Sequence, residues 1–293
     1  DQISLIKAEL WKNERYELLQ KIEEMLKNGT KPFFLWELEF YEVFEQGGFD
    51  IVVGNPPYGL INKKQNKSDS IVVSESELQH YKTAEEYAPA QGRMLNIYRL
   101  FICKSLNLLK KNGALSLIFP MAFLGDLSAV KLRKYIFDNV SIQTIEVFPE
   151  RDNINKRVFK SAKMSVCILN LIKSKKNKNV FKLRIQDDRF VNEEYPFVDM
   201  KVDDLKLMDK KNITIPIVNQ NEYNLINKMN TSAKKIGEIS KCYTGEIDLS
   251  LNKKYYSMIE NDTPLLRGAQ IQKWFITKKI SQGELLYIDK EKY

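Results

Sequence analysis

With 293 residues the chain can bury a sizeable core, and its length is that of about two domains. A composition of 43% hydrophobic and 29% charged residues excludes disordered, collagen-like and membrane-embedded classes. Forty-six Lys and Arg against 38 Asp and Glu leave a net charge of +8, which suits a polyanionic partner without naming one.

From Ile3 to Leu26 apolar residues recur at helical spacing and Asn28-Gly29 stops the pattern, so residues 1–30 are predicted as a helical lead-in. An apolar run, Phe33 to Trp36, precedes Phe49 to Val53, a buried-strand pattern entered after Gly47-Gly48. That strand must end at Gly54-Asn55-Pro56-Pro57-Tyr58, because two adjacent prolines cannot donate ladder hydrogen bonds. A polar loop from Asn62 to Glu77 follows. Then come a helix over 96–110 closed by Asn112-Gly113, a strand over 114–119 ending at Pro120, and a helix over 127–139. Strands are predicted over 143–147 and 164–172, the last antiparallel at the sheet's edge. Alternating strands and helices without hairpin signals indicate an α/β layer on a largely parallel sheet over 31–180. Residues 181–215, bracketed by weak alternation and Pro196 and Pro216, read as a linker. A second, β-rich module is expected over 216–293, opening with a helix over 221–229.

Cys103, Cys167 and Cys242 are odd in number and widely spaced, the pattern of reduced thiols in a cytoplasmic protein. The single His80 lies in a polar stretch and reads as solvated; no zinc site can be assembled, so no metal is expected. No apolar run approaches the roughly 20 residues that span a bilayer, and no membrane partner is expected. The first residue is Asp1 rather than Met, which suggests a fragment of a longer polypeptide.

In an open α/β sheet, ligands bind beyond the carboxyl ends of the strands, where Asn55 to Tyr58 must lie. The Asn55 side-chain oxygen and the Pro56 carbonyl are acceptors on a loop whose proline rings fix φ near −65°, and Tyr58 adds a flat stacking face. Two rigid acceptors suit an amine whose lone pair is delocalised into a ring, since holding its hydrogens favours a more tetrahedral, nucleophilic nitrogen. Neither metal nor strong base is required. An amine inside a duplex has to be rotated out of the stack, so a second aromatic face is expected.

Phe49-Asp50-Ile51-Val52-Val53-Gly54-Asn55-Pro56-Pro57-Tyr58-Gly59 resembles motif IV of the N6-adenine DNA methyltransferases. Asn96-Ile97-Tyr98, then Gly113 to Pro120 and Phe123-Leu124, resemble the following segments of the gamma-class enzymes in the same order. Val158-Phe159-Lys160-Ser161-Ala162-Lys163-Met164-Ser165-Val166 is similar to their motif VIII. The resemblance implies a partial Rossmann-like methyltransferase sheet, its C-terminal half, with catalytic Asn55, Pro56, Pro57 and Tyr58. It also implies a flipped adenine stacked between Tyr58 and Phe159, and double-stranded DNA as partner. Pro32 to Phe40 most resembles the methyltransferase part of type IIG restriction-modification enzymes, which implies a nuclease domain in sequence outside this chain. Pro264 to Ile271 looks like the start of a target-recognition domain, with Arg267 a candidate base contact. Lys63, Lys64 and Lys67 are candidate phosphate contacts, a solvated loop being the other reading.

The family's cofactor is S-adenosylmethionine, held by a glycine-rich motif upstream of motif IV. No Gly-x-Gly follows a strand in residues 1–54, so most of that site is expected outside this chain. The Asn-Pro-Pro-Tyr tetrapeptide also occurs in methyltransferases of glutamine side chains, and an incomplete chain could act as a DNA-binding module alone. These two alternatives remain beside adenine methylation.

Overall fold

The computed structural model describes residues 23–24, 27, 34–62, 70–92, 94–174, 179–232, 234–241, 247–277 and 283–293. Most of the helical lead-in, the lysines at 63, 64 and 67, and Cys242 lie outside them. The chain divides into two compact units, Asp1–Ser232 and Ala233–Tyr293.

The first unit is built on a six-stranded mixed sheet. Helices α1 (Trp36–Glu39) and α2 (Tyr41–Glu45) lead into β1 (Phe49–Gly54). The short parallel pair β2 (Leu60–Asn62) and β3 (Ser70–Val72) follows, then α3 (Glu75–Thr83) and α4 (Ile97–Leu108). The chain continues through β4 (Leu109–Pro120), α5 (Val130–Asn139), β5 (Ser141–Phe148), β6 (Val166–Ile172), β7 (Val180–Ile185), β8 (Val198–Lys201), α6 (Val202–Met208) and α7 (Gln220–Ser232). The strand order is β1-β4-β6-β5-β7-β8. β1 and β4 pair in parallel, as do β5 and β7, while β6 is antiparallel to both β4 and β5. Thus β1, β4, β5 and β7 share one direction, and their carboxyl ends share one edge. The α/β, Rossmann-like expectation is met.

Period-2 alternation sets which face is covered. Leu115, Leu117 and Phe119 of β4, Cys167, Leu169 and Leu171 of β6, and Ile145 and Val147 of β5 are all buried. They form one core with Leu100, Ile102 and Leu106 of α4 and Leu132 and Ile136 of α5. On the opposite face of β1, Ile51 and Val53 are 64% and 73% exposed. Gly48 enters β1 at φ +116, and a Cβ there would stand 2.5 Å from the Leu108 carbonyl oxygen, so this close approach admits only glycine.

Several expectations need correction. The stretch from Asn62 to Glu77, read as a polar loop, holds β3 and the start of α3. The strand over 166–172 is antiparallel as predicted but lies between β4 and β5, not at the edge. Its apolar residues are flanked on both sides, which a sequence pattern cannot distinguish from an edge position. Residues 181–215 are not a linker: they hold most of β7, all of β8, and α6, with Phe181, Leu183, Val198, Met200 and Leu205 buried. The helix expected to open a new module, α7, belongs to the first unit. Its Tyr223 is buried and its hydroxyl accepts from the Lys201 amide and donates to Asp204, each at 3.0 Å. The boundary therefore falls after Ser232, not Ile215.

The second unit, taken by itself, holds short strands. After α8 (Ile236–Ile239), β9 (Tyr256–Ser257), β10 (Pro264–Leu265) and β13 (Leu286–Ile288) form an antiparallel sheet in the order β10-β13-β9. β11 (Ile271–Gln272) and β12 (Phe275–Ile276) form a separate antiparallel pair. No described helix is long and apolar enough to cross a membrane.

Candidate active site

The four loops that leave the shared strand edge begin at Asn55, Met121, Pro149 and Gln186. The first carries Asn55 to Tyr58. Asn55 is exposed, Pro56 is buried, and Tyr58 is half-buried against the core. The chain after Tyr58 is pinned to the start of α4. The Ile97 amide donates to the Gly59 carbonyl at 3.0 Å, and the Ile61 amide donates to Leu95 at 2.9 Å. Asn96 caps α4, its side-chain oxygen accepting from Tyr98 at 3.4 Å and Gly59 at 3.5 Å. One residue thus ends the loop and begins the helix.

The Tyr58 hydroxyl lies 2.7 Å from Asn55 Oδ1 and 3.0 Å from the Ile118 carbonyl oxygen on β4. Burial pushes its pKa up to about 12, so it remains a proton donor at neutral pH. The hydroxyl fixes both the tyrosine ring and the asparagine amide.

Phe159 arrives from the loop over 149–165. Its ring centroid is 6.1 Å from that of Tyr58, with the planes inclined at 58°. The two aromatic faces that the motifs implied are therefore neighbours, though more than 90 residues separate them in the chain. The rings tilt toward one another rather than standing parallel.

The Phe159 loop is tied at several points. Ser165 Oγ donates to the Pro149 carbonyl at 2.7 Å, closing the neck, and Asp152 pairs with Lys163 at 2.6 Å. Glu150 accepts the amides of Asp152 and Asn153 at 2.7 and 3.0 Å, which holds its carboxyl below the usual range. The Arg157 guanidinium reaches the carbonyls of Arg151 and Lys160, on either side of Phe159. From the loop after β7, Arg189 donates to the carbonyls of Ile154 and Asn155. That second loop is itself anchored. Glu146 of β5 and Arg184 of β7 are cross-strand partners, both 6% exposed, with contacts of 2.8 to 3.1 Å, and Gln186 adds a bond of 2.9 Å to Glu146. None of these holding residues was singled out from the sequence. Only Asn96, a helix-capping residue type before an apolar-periodic run, left a local signal.

Beside the Phe159 loop lies an open cavity of about 620 Å³ lined by Met121, Pro149, Arg151, Lys156, Ser165 and Asp187, among others. Arg267 lies in the second unit, where its guanidinium donates to the Glu284 carbonyl at 3.1 Å. No described group of three His, Cys, Asp or Glu residues is placed to hold a metal.

The model of the Eco57I restriction-modification methylase family matches residues 2–155, more than half of the chain. The chain belongs to the Eco57I restriction-modification methylase family. The family match contains Asn55 to Tyr58 and ends just before Phe159, whose place beside Tyr58 rests on the tertiary structure. The chain is 29% identical over 153 residues to the restriction enzyme and methyltransferase RM.MjaORFECS2P of Methanocaldococcus jannaschii, covering 52% of this chain and 11% of that protein. It is 32% identical over 125 residues to RM.Eco57I, a type II restriction enzyme and methyltransferase of Escherichia coli, covering 43% and 11%. It is 27% identical over 157 residues to the type II methyltransferase M.HincII of Haemophilus influenzae, covering 52% and 27%. The matched parts are between 11% and 27% of the length of these relatives. Among solved structures, a DrdV–DNA complex matches at 15% identity and a TM-score of 0.42 over 63% of this chain and 20% of its own. The type IIG restriction endonuclease BpuSI matches at 11% identity and a TM-score of 0.40, over 54% and 19%.

Proposed function

We propose that the chain is the adenine-holding part of a site-specific DNA N6-adenine methyltransferase within a restriction-modification enzyme. The observation that carries this reading is an exposed Asn55 at the carboxyl end of a parallel strand, bonded to Tyr58, whose ring is the neighbour of Phe159. The similarity to proteins named as type II methyltransferases and restriction enzymes supports the same class of reaction.

In this reading, Asn55 Oδ1 and the Pro56 carbonyl accept the two amine hydrogens of an extruded adenine, and Tyr58 and Phe159 stack on its faces. The buried Pro56 and the Asn96 bonds behind the loop hold the acceptors in place, so little order has to be gained when the base arrives. S-adenosylmethionine supplies the methyl group from a site whose glycine-rich part lies outside this chain. The role of the second unit is target recognition, and double-stranded DNA is the partner. A cytoplasmic setting and a type IIG organisation with an attached nuclease complete the proposal.

The test is transfer of labelled methyl groups by the full-length polypeptide, offered duplex DNA or a release-factor-like protein with an exposed glutamine. Label on the adenine amine of DNA, lost in Asn55→Ala, is the expected result. Label on protein alone, or undiminished DNA methylation by the variant, overturns it.

A further inference from the structure

We propose that the loop over 149–165 is a DNA-backbone contact, in which Arg151, Lys156 and Lys160 receive the phosphates flanking the extruded nucleotide. This rests on the reading just given and adds a surface to it. Residues 150–163 contain five basic side chains and two acidic ones. Both acids are occupied within the loop, Glu150 by backbone amides and Asp152 by Lys163. Arg157 is turned inward onto carbonyls. Arg151, Lys156 and Lys160 are exposed, and none of the three makes an ion pair among the described residues. Arg151 and Lys156 also face the cavity beside the loop, where the remaining carboxylate, Asp187, takes the Tyr195 hydroxyl at 2.6 Å.

Placement supplies the rest. A base rotated out of a duplex brings its own sugar and phosphates with it, and those phosphates must come to rest on the protein surface around the stacking ring. Lys160 follows Phe159 directly and Lys156 precedes it by three residues, so their Cα atoms lie within about 4 and about 11 Å of that ring's own Cα. Because the loop is tied by the Ser165, Lys163 and Arg189 contacts, the backbone that carries these cations beside Phe159 is held before DNA arrives.

The experiment measures binding of the full-length polypeptide to a short duplex containing a site that it methylates, over a series of salt concentrations. Lys156→Gln and Lys160→Gln should each weaken binding several-fold and reduce the slope of log K against log[salt] by about 0.9, the signature of one lost phosphate contact. Lys156→Arg and Lys160→Arg should keep the parental slope, showing that charge rather than folding is read. Lys131→Gln, the same charge loss on the exposed side of α5, should leave the slope unchanged. Parental slopes in both glutamine variants, or an equal fall in Lys131→Gln, overturn the proposal. Asn55→Ala keeps the two readings separate. Methylation lost in that variant while the lysine slopes stay parental refutes the backbone contact alone, whereas methylation retained refutes the catalytic assignment.

Discussion

The Tyr58 hydroxyl donates to Asn55 Oδ1 at 2.7 Å, the same oxygen that the proposed reaction assigns to an adenine amine hydrogen. The acceptor is therefore engaged by a neighbouring side chain. On entry of the base, the hydroxyl can turn fully to the Ile118 carbonyl, 3.0 Å away, which leaves it satisfied and frees Asn55.

Removing that hydroxyl separates its role from that of the ring. Tyr58→Phe should change kcat/KM for DNA methylation by no more than about tenfold, the worth of one neutral hydrogen bond. Tyr58→Ala should lose about 1–3 kcal/mol of base stacking, seen mainly as weaker DNA binding. Equal losses in the two variants would count against stacking by the ring. The folded pKa of Tyr58, about 12, lies above its ordinary 10.0, so burial of the neutral phenol favours folding fully below pH 10 and loses that effect as pH rises through 12. Between pH 7 and 9 the stability difference between parent and Tyr58→Phe, measured by urea unfolding, should be constant.

Asn55→Ala should lower kcat by about 10²–10³-fold with little change in DNA affinity, since a preorganised polar group acting on the reacting nitrogen is removed. Single-turnover methylation and a binding isotherm together check this. A proportional loss of binding would instead make Asn55 a docking residue.

Phe159→Ala should raise the DNA KM through the loss of one stacking face, about 1–3 kcal/mol, and Phe159→Trp should restore it. With 2-aminopurine at the target position, the alanine variant should show a different emission from that of the parent complex, because one wall of the base's surroundings is gone.

Glu146→Ala should destabilise the first unit by about 3–5 kcal/mol, because it leaves the Arg184 guanidinium buried without its carboxylate. Replacing both residues with leucine should cost less than the single change. Urea midpoints of the parent and the two variants decide it, and a mild effect of Glu146→Ala would show that water reaches Arg184. Since this pair anchors the loop bearing Arg189, the single variant should also loosen the Phe159 loop, as amide exchange over 149–165 would report.

Binding of S-adenosylmethionine to this chain alone should be weak or undetectable by isothermal titration, since residues 1–54 contain no Gly-x-Gly sequence. Micromolar affinity would place the cofactor site within these residues.

Local pattern was enough to locate β1, its termination at the two prolines, and helices α4 and α5 within a few residues, because helix and strand periodicity and proline's missing amide act over short stretches of chain. The helix expected to reach residue 110 stops at Leu108, and β4 begins at once, where pairing of Leu109 with Phe49 outweighs helical continuation. Alternation in 166–172 marked a strand but not its place between β4 and β5, which depends on partners distant in sequence. The same limit turned 181–215 from an apparent linker into sheet: its alternation is short, and its stability comes from β5 on one side and α7 on the other.

For the candidate site, the chemistry proposed for Asn55 to Tyr58 was legible in sequence alone, since rigid acceptors and an aromatic ring are properties of residue type and order. Only tertiary structure decided that Phe159 stands beside Tyr58, that Arg157 and Arg189 hold the Phe159 loop, and that Tyr58 occupies the Asn55 acceptor. Those relationships join loops from separate strands at one sheet edge, and the distances between such loops are set by the packing of the whole sheet rather than by any local stretch of chain.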